Sequence, residues 1–485
     1  MVKHKIILNT IKDGISNMKR IEKLLILLVA FVAITACSKN SFLYPMNDWD
    51  DISIYIMLGR EVLDGTLLYK DLFSHNGIII PFIYGILSYI CDNPYMGIYL
   101  AEIISAYFYL YFGYKTIKII KDNATFIYVP LLSMIYASKV IRGGGCLEEL
   151  FLPCLVYTLY IYIRATDKKQ RPKVYESIIL GILIGIMMFT KYTLLFAVLA
   201  IYLSYGINCY KDRNIKNYLK FALYNILGCL TVVIPIIIYL YNKGIFNDMI
   251  QSYIRTNVGE YNLKLYNIPL YTAYSISCAP IFMYIVFMCI VFILKRRKNI
   301  DRYVIVIIML IGTFITNSYG YYLIPLSTLI ILGLPYISDK INIKNKSIIT
   351  AVTAVILVGI YFLTPNAYLR QYNKSELPHY KILKLVDNKD ELLSFTHLDN
   401  HMYVINNKRS GLKYTAIFNT HIEEGMLYLL DIVKTKEYEY VFTDSMTDEL
   451  MELIPEYELV AEEIFMRESV NNFEETYRLY KLNSN

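Results

Sequence analysis

Charge is what this sequence has least of. Asp, Glu, Lys and Arg make up 18% of its 485 residues, against roughly 25% in a soluble domain. That shortage excludes an ordinary soluble protein of this size. Between Lys23 and Pro365 the chain is a series of apolar runs, many near the length that crosses a hydrocarbon core of about 30 Å. Beyond Pro365 charges return and no long apolar run follows, so one domain boundary is drawn there. A membrane domain occupies 1–365 and a small soluble α/β domain 366–485. Tryptophan is nearly absent, one residue against 48 tyrosines, so tyrosine must supply the aromatic belts at the membrane surfaces. The eight cysteines form no CxxC pair, and most act as small hydrophobes in or beside apolar runs. The tail has no glycine-rich phosphate loop and no metal-ligand spacing, and no catalytic role is assigned to it.

What is present is a topology. The apolar runs fall near 23–37, 97–118, 124–141, 148–165, 176–190, 192–208, 219–241, 270–294, 303–317, 319–337 and 347–364, about eleven transmembrane helices. The net charge of +7 could suggest nucleic acid, but the basic residues cluster in alternate loops, which is the mark of orientation. Lys115/Lys118/Lys121, Arg164/Lys168/Lys169/Arg171/Lys173 and Lys211/Arg213/Lys216/Lys220 follow the even-numbered helices, as do Lys295–Lys298 and Lys340/Lys344/Lys346. With Lys3, Lys5, Lys12, Lys19, Arg20 and Lys23 at the start, this places the N-terminus in the cytoplasm and the C-terminal domain outside. The apolar stretch Ile78–Cys91 is too short to span and would invert every later loop, so it reads as a juxtamembrane helix in an outer loop over 38–96. Ile34-Thr35-Ala36-Cys37 resembles a lipoprotein cleavage site but reads as the end of a retained first helix. In the tail, 376–388, 422–435 and 445–454 read as helices, and Met402–Asn406, Glu437–Thr443 and Tyr477–Leu482 as strands.

The outer loops hold the notable polar groups. Asn47-Asp48-Trp49-Asp50-Asp51 puts three carboxylates within four residues. Their repulsion raises the pKa of at least one unless a cation compensates, which is how a general base is tuned. The same loop carries Gly59, Gly65, Tyr69, Asp71, His75 and Gly77. The second outer loop reads Arg142-Gly143-Gly144-Gly145-Cys146-Leu147-Glu148-Glu149. The glycines permit close backbone approach, and the acids open the next helix, where its dipole favours them. Lys191 sits in an outward turn against the charge bias, which calls for an anionic partner such as a lipid phosphate. Arg255 lies in the loop 242–269 with Lys243 and Lys264. Glu102 lies inside an apolar run, where it must face protein or water.

Taken together, Asp51-Ile-Ser-Ile-Tyr-Ile-Met-Leu-Gly59, Gly65, Tyr69-Lys-Asp71 and His75-Asn76-Gly77-Ile78 resemble the first loop of GT-C type glycosyltransferases. The group is family 39, the protein-mannosyltransferase-like membrane sugar transferases. The Gly-Gly-Gly-Cys-Leu-Glu-Glu turn resembles their second acidic loop, and Thr190-Lys191 and Tyr319-Gly-Tyr-Tyr-Leu-Ile-Pro325 resemble later landmarks. Asn76 and Ile78 stand where that group usually has Lys and Pro. The resemblance implies an α-helical polytopic GT-C fold that moves a sugar from a polyprenyl-phosphate donor to a hydroxyl acceptor on a glycan, lipid or protein. The reaction would run with inversion, at the outer face of the cytoplasmic membrane. Carried over, Asp51 or its neighbour Asp50 is the base, and Glu148 or Glu149 positions the acceptor or a divalent cation, the one cofactor considered. Arg142, Lys191 and Arg255 neutralise the leaving phosphate, with His75, Tyr69 and Asp71 lining the substrate.

Competing readings are a polysaccharide polymerase or O-antigen-ligase-like protein, a secondary transporter, and a scaffold. A polymerase or ligase would carry its functional loop late and rich in Arg. A transporter would carry ionisable groups at the bilayer midplane in repeated halves, and no internal repeat is seen.

Overall fold

A computed structural model describes residues 20–259, 279–295, 300–315, 320–337, 345–418, 421–467 and 473–483. The basic residues before Arg20, together with Lys264, Cys278, Arg296–Lys298, Tyr319, Lys340 and Lys344, lie outside them. The helices that build the membrane part and its outer loops are α1 (Arg20–Cys37), α2 (Asp50–Leu63), α3 (Ile79–Ser88), α4 (Met96–Ile120), α5 (Tyr128–Ser133), α6 (Leu147–Asp167), α7 (Val174–Met188), α8 (Leu195–Lys211) and α9 (Ile215–Asn242). After them come α10 (Ala279–Lys295), α11 (Ile300–Ile315), α12 (Thr328–Ile337) and α13 (Lys346–Leu363).

Among the described residues four segments, Met96–Ile120, Tyr192–Lys211, Ile215–Asn242 and Lys346–Leu363, are long and apolar enough to cross a membrane. This is a multi-pass membrane protein. The apolar runs do not all become uninterrupted spans, however. The run at 124–141 breaks into α5 and two 3-10 turns, Met134–Ala137 and Lys139–Ile141, because Ser138 is extended between them and caps Val140. The described part of the run at 319–337 opens as a 3-10 helix over Gly320–Ser327 and becomes α-helical only after Pro325, since proline has no N–H to give the ladder.

The loop after α1 folds into two helices, of which the sequence announced only the second. The ten residues of α3 rise about 15 Å at 1.5 Å per residue, half of what a crossing needs, in keeping with a juxtamembrane helix. Beside it α2 buries nearly every residue from Ile52 to Val62. The two helices meet at Gly59, where a Cβ would stand 2.3 Å from the Gly85 backbone nitrogen.

The C-terminal part forms one four-stranded sheet, order β1-β2-β4-β3, from β1 (Leu392–Phe395), β2 (Tyr440–Thr443), β3 (Tyr457–Arg467) and β4 (Phe473–Leu482). The strands β1 and β2 pair in parallel, with Leu392 opposite Tyr440, and both are buried along their length. Their crossover carries the helix Ile422–Lys434, whose Leu429, Leu430 and Val433 pack on Leu393, Phe395 and Val441. The strand expected at Met402–Asn406 is instead the helix His401–Ile405. In place of a strand ladder, the His401 ring bonds Asp399 and the Tyr403 hydroxyl accepts from the Ser394 N–H. The helices expected at 376–388 and 445–454 shrink to Pro378–Leu383 and to a 3-10 segment, Asp448–Leu453.

Candidate active site

The three carboxylates after α1 have three different fates. Asp48 is buried against Lys39 and the Tyr368 hydroxyl. Burial alone would raise its carboxyl, but Lys39 and then Arg467 outweigh burial and hold it at about 2. Asp50 accepts two hydrogen bonds from Arg467 of β3, at 2.9 and 3.1 Å. Asp51 faces the other way. Burial lifts it to about 6 against the pull of Lys191 and Arg142, helped by the charges of Asp50 and Glu148. Lys39 pairs with Asp48 and Arg467, 417 residues away, bonds Asp50, whereas the raised pKa belongs to Asp51.

The adjacent acids of the second loop diverge in the same manner. Gly144 and Gly145 hold φ of +89° and +76°, a region L side chains avoid. A Cβ on Gly144 would meet Ser38 Oγ at 2.4 Å and Glu102 Oε1 at 2.5 Å. The turn they make aims the two acids apart. The Glu149 carboxylate accepts from its own turn at Gly145 N (3.1 Å), on the side where Glu102 lies bound by Ser38 (2.7 Å) and Asn40 (3.0 Å). Glu148 turns instead to Lys191, with Oε1 3.2 Å from Nζ and both groups largely buried.

Lys191 reaches that position through the first loop. The Phe189 carbonyl accepts from Ile79 N, and a Cβ on Gly77 would stand 2.1 Å from the Phe189 oxygen, so only glycine lets the turns at 74–77 and 189–191 touch. The ammonium then lies 4.9 and 5.0 Å from the ring centroids of Tyr321 and Tyr322, with the Arg142 guanidinium 5.8 Å from the Tyr321 ring. Burial works against this cation, yet Glu148 beside it raises its pKa well above the lysine range. The anionic partner expected for Lys191 is therefore present in the protein itself. Next to the pair lies a small pocket lined by Glu148, Thr193, Ala197, Met309, Gly312 and Tyr322 among others.

Asp51, Glu148, Lys191 and Arg142 thus come together, whereas other predicted residues do not join them. Arg255 is exposed and donates to Gln251 on its own helix at 3.3 Å. Asp71 is exposed. Tyr69 is buried with φ of 74°, its hydroxyl donating to the Asn76 carbonyl at 2.7 Å, a contact that shapes the turn. His75 lies within the electrostatic reach of Lys191, but burial, and then Lys191 and His421, lower it to about 4. At neutral pH it can offer a hydrogen bond and no charge.

Sequence reasoning missed the residues that fix the first loop from the C-terminal side: Arg467, Asp399 and His401. Asp399 accepts from His379 (2.7 Å) and His401 (2.8 Å), and His401 Nε2 lies 2.7 Å from the Asn47 carbonyl. His379, Asp399 and His401 are close enough to suggest metal ligands, but the group closes its charges without one. Carbonyl and carboxylate oxygens only accept, so both His401 nitrogens carry hydrogen. Burial opposes that imidazolium, but Asp399 raises its pKa. His401 and Arg467 then balance Asp399 and Asp50, and the Arg467 guanidinium, 3.4 Å from Asp399, would repel an added cation. No short motif marks this group in the sequence, because its members are brought together only by the packing of the C-terminal part, chiefly the helix His401–Ile405, on α2.

A family model described as dolichyl-phosphate-mannose-protein mannosyltransferase matches residues 75–239. No curated protein matches the chain. Among solved structures the chain is similar to ArnT from Cupriavidus metallidurans bound to undecaprenyl phosphate, with a TM-score of 0.58 at 9% identity, covering 95% of this chain and 97% of that one. The apo state of the same protein gives a TM-score of 0.59 at 10% identity over the same shares.

Proposed function

We infer a function from the resemblance read in the sequence, which is borne out: the chain is similar in fold to ArnT over nearly its whole length, and a mannosyltransferase family model matches residues 75–239. We propose that this protein is a membrane glycosyltransferase that moves a sugar from a polyprenyl phosphate to a hydroxyl acceptor. The reaction takes place at the outer face of the cytoplasmic membrane, with the chain crossing about eleven times, its N-terminus inside and the C-terminal sheet outside. The observation that carries this reading is Asp51 with a raised pKa within the electrostatic reach of the Lys191–Glu148 pair, whose glutamate lines a pocket. A lipid-linked donor needs no nucleotide site, and ArnT, whose fold this is, has been crystallised with undecaprenyl phosphate bound.

In this reading Asp51 removes the acceptor proton as the oxygen attacks the anomeric carbon, and the polyprenyl phosphate leaves from the opposite face with inversion. A base with a pKa near 6 is largely ionised at neutral pH and still basic enough to accept the proton. Lys191 and Arg142 neutralise the charge that develops on the leaving phosphate. Glu148 keeps Lys191 charged and aimed. Of the two acids the sequence offered in each loop, Asp51 and Glu148 are assigned and Asp50 and Glu149 are not.

The test is Asp51→Asn returned to a deletion strain, with cell-envelope glycans profiled by mass spectrometry. The glycan that disappears on deletion should stay absent. Its return at wild-type abundance would remove Asp51 as the base.

A further inference from the structure

The C-terminal part of the chain touches the loop after α1 and the helix α2 at several points around Asp51. His401 bonds to the Asn47 carbonyl, Arg467 to Asp50, and the Asn400 N–H to Ser53 Oγ at 2.9 Å. Farther along α2, Arg60 donates to the Val404 carbonyl at 3.1 Å, and Glu61 accepts from the Gly411 N–H at 2.9 Å. Asn47 also binds the second loop, its amide facing Asn40 Oδ1 and the carbonyls of Gly143 and Gly144. The helix that carries the base is held from outside the membrane part of the chain.

One contact in this set is electrostatic and adjoins the base. Arg467, 8% exposed, spans 417 positions of sequence to reach Asp50. Its other amino group faces Asp399 and the Tyr477 hydroxyl, so the guanidinium has a fixed place and cannot follow Asp50 if that side chain moves. Asp50 and Asp51 are consecutive in the first turn of α2. An uncompensated carboxylate one residue from the base would hold the base's proton more tightly, by Coulomb repulsion in a site partly shielded from water.

We propose that Arg467 is a positioning residue for the transfer reaction: it neutralises Asp50, so that of two adjacent acids only Asp51 works as the base and does so at neutral pH. The C-terminal sheet is then part of the active site. This rests on the assignment of Asp51 made above. The charged and titratable groups facing Asp51 are Lys191, Arg142, Glu148, Asp50, Tyr55 and Tyr321. Those facing Asp50 are Arg467, His401, Lys39 and Tyr477. Arg467 is the cation among them that bonds Asp50 directly.

The experiment measures the pH dependence of transfer in membranes from the complemented deletion strain, with the lost envelope glycan as readout. Four variants are compared: Arg467→Gln, Arg467→Lys, Asp50→Asn and the double variant Arg467→Gln/Asp50→Asn. Loss of the guanidinium alone should move the acidic limb of the profile up by about one pH unit, the lower end of what a close charge does. Asp50→Asn should move it down, because Arg467 then acts on Asp51 unopposed. The double variant should return the limb to the wild-type position, and Arg467→Lys should keep it there. A purely structural role predicts that the double variant is worse than either single one. Limbs that stay together in all four variants, or a double variant that adds its defects, would overturn the proposal. Should Arg467→Gln fail to reach the membrane, the downward shift in Asp50→Asn decides by its presence or absence. If Asp51→Asn itself supports full product, the reading of the site fails. If Asp51→Asn is inactive and these limbs do not move, only the role of Arg467 fails.

Discussion

Lys191 Nζ and Glu148 Oε1 stand 3.2 Å apart, one from the turn after α7 and the other from the first turn of α6. The pair joins the glycine-rich second loop to the turn packed under the first, and it sets the charge beside Asp51. Removing either partner leaves the other buried and uncompensated, which is more damaging than loss of a surface pair. Lys191→Gln should therefore lower glycan product by roughly 100-fold or more at unchanged protein level, as removal of a transition-state stabiliser does. Product within a few-fold of wild type, measured by mass spectrometry against immunoblotted protein, would exclude Lys191 from the chemistry.

The pH dependence follows from Asp51. With Asp51 as the base of the proposed reaction, acting only when ionised and with its carboxyl at about 6, transfer should fall on the acid side of that value and level off above it. Membranes assayed between about pH 5 and 8 would show a limb centred near 6. A limb at the ordinary aspartate position would mean that burial does not tune this group.

His401 gives a stability prediction of opposite sign. Its folded pKa lies above the unfolded value, so its contribution is complete below the ordinary histidine pKa of about 6.5 and is lost as pH rises through the folded value. The thermal midpoint of the detergent-solubilised protein should drop toward alkaline pH. His401→Gln should lower it most at acid pH and flatten that dependence. A variant whose midpoint keeps the wild-type slope would show that His401 is not the titrating group.

Gly77→Ala is a packing test. The added methyl would collide with the Phe189 carbonyl, and an overpacked backbone contact costs about 1–3 kcal/mol. Reduced thermal stability together with reduced product is expected, because the same contact seats Lys191.

Arg255→Ala is the control. The side chain is exposed and pairs only within its own helix as far as the described contacts go. Product should remain within about twofold of wild type, as for a surface position. A loss as deep as that of Lys191→Gln would bring Arg255 back to the leaving phosphate.

Composition and period determined much on their own. The apolar runs, and the expectations of a short juxtamembrane helix over Ile78–Cys91 and a boundary near Pro365, rest on transfer energetics, which depend on local residue content and need no tertiary information. The acidic clusters of both outer loops were equally legible, because charge in a charge-poor chain stands out. What sequence could not decide was which acid of each pair matters. Asp50 and Asp51 are neighbours of one type, as are Glu148 and Glu149, and no local rule separates them. The two acids of each pair are set apart by cations that folding brings from elsewhere in the chain, Arg467 to Asp50 and Lys191 to Glu148. Burial then acts on the acid that no cation bonds directly. Electrostatic energy depends on distance in space, and only the tertiary structure sets that distance.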